Sequence, residues 1–188
     1  TLSQIGIMTG TSKKTVNLQT FDYYNAIPGA VTKIYKVYPI TDAGRTNTYY
    51  DIRLDSYAKV GFVYKIFSQT EIDKIRAFEA ETGKQIFYPM IDKSKIEAVT
   101  GTDDANYWFL HDLKGRAIYD ENGNYQNIYI KDETSADGYA YQVEVQGGYR
   151  VRLLYSEYYF YLHGHYASFF FGADMYGKDL MVCLASGA

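Results

Sequence analysis

Four short stretches carry side chains whose types and spacing could do chemistry. "DENGN" places Asp120, Asn122 and Asn124 at alternate positions, as at the start of a calcium-binding loop. Such a loop needs glycine at its sixth position and a bidentate acid at its twelfth, whereas here Gly123 is fourth and Lys131 is twelfth, so a plain turn is the expectation. "HGH" sets His163 and His165 where two imidazoles could grip a metal, with Asp174 or Asp179 as conceivable further ligands. No HExxH or His/carboxylate series accompanies them, and two ordinary turn histidines are expected. "GTSKKT" at 10–15 lacks the second glycine directly before lysine that lets backbone amides wrap a phosphate, and reads as a polar loop ahead of a strand. The one cysteine, Cys183, lies in "LMVCLAS" without a glycine elbow, and no serine occurs in a GxSxG context, so nucleophilic catalysis has no candidate.

The remaining chemistry-bearing residues read as structural. His111, after "NYWFL", is expected to pack or cap, and Asp103–Asp104 to sit in a solvated turn. Trp108 between Tyr107 and Phe109 could offer a stacking platform for a sugar or peptide, but a core anchor is the expected role. The expectation is therefore no enzyme, no cofactor and no metal. Cys183 alone cannot form an internal disulfide, so a disulfide-stapled scaffold is excluded.

Composition narrows the partners. With 19 Lys+Arg against 22 Asp+Glu the formal charge is -3, which argues against nucleic acid or an anionic membrane surface. No window approaches the roughly 18 apolar residues of a spanning helix, and no secretory signal is present. Tyrosine is over-used, with 22 copies, a ring suited to covering half-wet sheets and also to stacking on ligands.

The elements that would position these residues are mostly strands, expected at "TVNLQTF" (15–21), "YDIRL" (50–54), "KVGFVYKIF" (59–67) and "YAYQVEVQ" (139–146). In the third, period two puts Val60, Phe62, Tyr64 and Ile66 on one face. "SQTEIDKIRAFEAETG" is a helix, with Ser68 three residues before Glu71 as a capping box, Gly83 as its stop, and Ile72, Ile75 and Phe78 on one stripe. "RLLYSEYYFYLHG" (152–164) fits either a second helix or a continued strand. Residues 120–124 suit a hairpin turn, and no repeat of solenoid length is seen. The expected class is α+β, a mainly antiparallel sheet with one or two packed helices, over 1–168, followed by a separate segment at 169–188.

That last segment, "FGADMYGKDLMVCLASGA" (171–188), resembles the stretch leading into the second transmembrane helix of the C-type permease subunit of dipeptide and oligopeptide ABC transporters. Gly172, Asp174, Gly177, Asp179, Gly187 and Ala188 fall on the family pattern at matching spacings, with Lys178 at its arginine position. Ala173 replaces the usual threonine, Lys178 keeps charge without the bidentate fork, and Val182 or Cys183 falls near the second basic position. The resemblance covers about the last tenth of the chain. It implies that 1–168 is an enlarged external loop between the first two membrane helices, which accounts for a start without methionine and an apolar end. It further implies a location on the extracytoplasmic face of the cell membrane, membrane attachment through the parent chain, and three kinds of partner: a second permease subunit, two ATPase subunits and a substrate-binding protein. Leu180, Met181, Val182 and Leu184 would form a pre-membrane helix, and the rings from Tyr158 to Phe171 would be either an interface belt or domain core. Two readings stand apart from the resemblance: a freestanding surface module binding glycan or peptide through its tyrosines, and a small hydrolase using His163 and His165.

Overall fold

The computed structural model describes residues 11–55, 57–95, 104–114, 116–167 and 180–187. The architecture is α+β, with two antiparallel sheets of three and four strands, as the strand-rich pattern implies. The chain divides into two compact units: residues up to Gly61 with those from Tyr166 onward, and Phe62–His165. The expected divide near 168, and the motif residues 172–179, lie outside the described residues.

The first unit holds β1 (Thr11–Asn17), α1 (Leu18–Asn25), β2 (Val31–Asp42) and β3 (Arg45–Asp55), in sheet order β1-β3-β2. The strand expected over 15–21 is corrected: it stops at Asn17, whose side-chain oxygen accepts from Thr20 N at 2.9 Å and caps α1. "GTSKKT" is likewise not a loop, since residues 11–15 are already in β1. α1 lays Phe21 flat on Tyr50, with centroids 3.9 Å apart, and closes a small core of Val16, Phe21, Ile52 and Leu54. β2 and β3 join through Ala43 and Gly44, both at positive φ, the two-residue turn that matches strand twist.

The second unit holds β4 (Phe62–Phe67), α2 (Gln69–Thr82), β5 (Phe87–Tyr88), β6 (Gln142–Val145), β7 (Gly148–Leu154) and α3 (Tyr155–His163). β7 pairs with β4 along one edge and with β6 and β5 along the other. α2 starts with the expected capping box between Ser68 and Glu71 and ends at Gly83 in the left-handed conformation. β4 begins only at Phe62, because Ala58–Val60 is a 3-10 turn and Gly61 takes φ 67°. The expected face of β4 holds in part: Phe62 is buried and Tyr64 packs beside it, while Ile66 is exposed and buried Phe67 points the other way.

Residues 152–164 are strand and then helix, with the switch at Leu154–Tyr155. Val151, Arg152, Leu153 and Leu154 are all buried because both faces of β7 are covered, which erases the alternation of a half-wet strand. One face packs Phe67, Ile72, Ile75, Ile86, Phe87 and Tyr158, and the other packs Phe62, Ala105 and Leu154. Tyr158 therefore belongs to the core of this unit.

Residues 104–114 and 116–141 form a meander of single-residue bridges. Three backbone groups spaced eight apart close a ring: Leu110 N donates to Gln126 O, Gln126 N to Ile118 O, and Ile118 N to Leu110 O. Between them, turns start at Asp112 and Asp120, whose carboxylates accept the backbone N–H groups of the following residues. This short repeat supplies the expected hairpin at 120–124, closed by the Tyr119–Tyr125 bridge. A further helix, α4 (Leu180–Ser186), follows the motif segment. No helix among the described residues is long and apolar enough to cross a membrane.

Candidate functional site

The antiparallel register of the first unit decides what its open sheet face presents. α1 covers the side of Ile52 and Leu54, so the alternate residues of β3, Asp51 and Arg53, belong to the other face. Opposite Asp51 lie Thr15 on β1 and Lys36 on β2; opposite Arg53 lie Lys13 and Lys33. Register shifts at 31/33 and 34/36 place Tyr35 in a bulge, with the residue 41% exposed. Lys13 Nζ stands 4.8 Å and Lys33 Nζ 5.1 Å from the centroid of that ring. A cleft of about 350 Å³ is bounded by Lys13, Lys14, Thr15, Tyr35, Asp51 and Ile52. In it Asp51 Oδ1 accepts from Thr15 Oγ1 at 2.7 Å and from Tyr38 OH at 3.3 Å. Tyr38 also carries Lys36 Nζ at 4.8 Å and stacks with Tyr49.

The second unit presents a run of rings in mutual contact: Tyr119 on Tyr125, Tyr125 on Trp108, Trp108 on Tyr129, and Tyr129 on Tyr139. Phe109 is the buried anchor of this segment, while Trp108 is half-buried, so the core role expected for the tryptophan falls mainly to its neighbour. His111 packs, as expected: it is buried, stacks on Tyr107 with centroids 4.6 Å apart, and lies 3.4 Å from Phe109 O. Behind the rings Arg152 is fully buried, with Nε donating to Ala105 O at 2.7 Å and Nη1 to Pro89 O at 3.3 Å. Its guanidinium lies 3.7 Å from the Phe62 centroid, and burial lowers its affinity for the proton. Burial, together with the hydrogen bond to Asp137, pushes the Tyr141 hydroxyl up to about 12.

The other residues singled out by sequence are dispersed. His163 and His165 are exposed near the end of α3, with ring centroids 6.2 Å apart. Among the described residues no group of three or more His, Cys, Asp or Glu is placed to hold a metal. Asp120 spends its carboxylate on Asn122 N and Asn124 N at 2.9 and 2.8 Å. Asp104 does the same for Asn106, whose side-chain oxygen in turn accepts from Phe62 N at 2.7 Å and ties the meander to β4. Cys183 is free and half-buried in α4. Gly172, Asp174, Gly177, Lys178 and Asp179 lie outside the described residues, and Gly187 follows α4, its N–H donating to Cys183 O at 3.2 Å.

Sequence reasoning noted Lys13 and Lys14 but missed Lys33, Tyr35, Lys36, Asp51 and Arg53 as their companions. The signal was the K-x-x-K spacing with interleaved tyrosines in "KIYKVY", which gains meaning only once β2 and β1 flank β3. No family model, no curated protein and no solved structure matches the chain.

Proposed function

We propose that this chain is an extracytoplasmic domain of a peptide-type ABC importer permease, which docks the substrate-binding protein or shapes the outer mouth of the translocation path. The observation that carries the reading is the segment with Gly172, Asp174, Gly177, Lys178 and Asp179 at the family's spacing. It is supported by the short helix Leu180–Ser186, which begins directly after Asp179. The tyrosine-rich surfaces of both units suit transient protein contact, because such rings provide large contact area with little entropy to lose. On this reading the domain hydrolyses nothing, and energy comes from the two ATPase subunits of the assembly.

The test is titration of the chain with the substrate-binding protein encoded beside it. Saturable binding is expected, and its absence removes docking. In the full reading frame a run of about 20 apolar residues on each side of the domain is expected. A stop or a polar tail directly after Ala188 ends the permease reading altogether.

A second reading rests on the ring series Tyr119, Tyr125, Trp108, Tyr129 and Tyr139: a surface module that binds glycan or peptide. It predicts retention on a glycan or peptide array that Trp108→Ala abolishes.

A further inference from the structure

We propose that the open face of the first unit's sheet is a binding site for a phosphate-bearing sugar or polyol. The site stands on sheet geometry and does not depend on the permease reading.

The cations come first. Register sets Lys13, Arg53 and Lys33 side by side on three adjacent strands, with neighbouring strands roughly 4.8 Å apart. Like charges directly opposite each other oppose sheet formation, so a row of three with no acid in it works against the fold. Among the described residues no carboxylate forms an ion pair with Lys13, Lys14, Lys33, Lys36 or Arg53. Arg53 Nε is moreover buried without a hydrogen-bond partner. The cations that the register places on this face, Lys13, Lys33, Lys36 and Arg53, outnumber its acids Asp51 and Asp55, which favours an anion. Lysines recognise phosphate as flexible point charges, and a dianion can answer more than one of them at once.

The cleft beside this row adds features that a bare anion does not use. Asp51 is the one carboxylate lining it; Oδ1 is held by Thr15 and Tyr38, which leaves Oδ2 open to accept from a ligand hydroxyl. The Tyr35 ring is exposed at the rim, and an aromatic ring is the usual partner of the C–H face of a sugar. The volume of about 350 Å³ lies at the lower end of the range for small-molecule sites, where a single sugar unit belongs. An anion for the lysines, hydroxyls for Asp51 and an apolar face for Tyr35 together describe a phosphorylated sugar or polyol.

The test is a titration of the chain, followed by NMR or calorimetry at low salt, with glucose 6-phosphate, inorganic phosphate and glucose as probes. Saturable binding of glucose 6-phosphate, weaker binding of phosphate and none of glucose are expected, with affinity falling as salt rises. The double variant Lys13→Gln/Lys33→Gln should bind about tenfold more weakly or worse. Tyr35→Ala and Asp51→Asn should erase the preference for glucose 6-phosphate over phosphate while leaving phosphate binding in place. Lys13, Lys33 and Tyr35 are exposed, so the lysine and Tyr35 variants should keep the circular dichroism of the parent. No saturation, equal binding of glucose, or an unchanged affinity in the double lysine variant would overturn the proposal. A poly(glycerol phosphate) chain separates the sources: tighter binding than the monomer identifies a polymer ligand, and equal affinity per phosphate identifies a free one.

Discussion

Glu79 joins two parts of the second unit through one carboxylate, and its removal gives a prediction with a calculable size. It sits in the last turns of α2, where Oε1 accepts from Ile86 N at 2.6 Å and from Phe87 N at 2.8 Å. Oε2 pairs with Arg76 at 3.0 Å. Ile86 and Phe87 are 0% and 1% exposed, so water cannot replace the lost acceptor in Glu79→Ala. Each stranded buried donor costs about 1–3 kcal/mol, and two of them cost about 3 kcal/mol when partial relaxation is allowed. Glu79→Gln keeps an oxygen that can accept both bonds and loses only the contact with Arg76, which is 42% exposed, at about 0.5 kcal/mol. For a domain of about 100 residues each kcal/mol lowers Tm by roughly 4 °C, so Glu79→Ala should melt about 12 °C earlier and Glu79→Gln about 2 °C earlier. Differential scanning calorimetry of the three proteins reads this directly. If alanine and glutamine cost the same, the double backbone clasp is not what holds α2 to β5.

The acid limb of stability should depend on the meander turns. Asp112 is lowered to about 2, first by the backbone hydrogen bond from Arg116 and then by that residue's side chain. A carboxyl depressed in the folded state contributes stability above its unfolded value near 3.8 and loses it as pH falls toward 2. Asp112→Asn should therefore unfold with a shallower pH dependence between about 4 and 2, as followed by tyrosine fluorescence. Gly148 is a packing limit, since an added Cβ would stand 2.6 Å from the Phe67 carbonyl oxygen. Gly148→Ala should cost about 1–3 kcal/mol in urea unfolding with an unchanged m-value.

What the sequence made legible was local. α2 announced itself because Ser68, Glu71 and Gly83 lie within one element and satisfy its ends without help from elsewhere. α1 was hidden, because Asn17 works both as the last residue of β1 and as a cap. β7 was ambiguous, because two covered faces remove alternation. β2 gave no strand signal, since most of its residues are exposed and no buried face imposes a period. The meander escaped for another reason. Its eight-residue spacing is shorter than a solenoid repeat, and its strands touch one residue at a time.

The candidate site failed in the same way as β2. Lys13 and Lys14 could be read as a polar run, but their nearness to Lys33, Tyr35 and Asp51 arises from strand order β1-β3-β2, which no local pattern encodes.

Purification of the full-length parent protein from detergent-solubilised membranes of the native cell tests the proposed membership of a transporter. The parent should sediment with the membrane and co-purify in stoichiometric amounts with a second permease and two ATPase subunits. A parent protein recovered without ATPase subunits, or released from the membrane by salt alone, would contradict it.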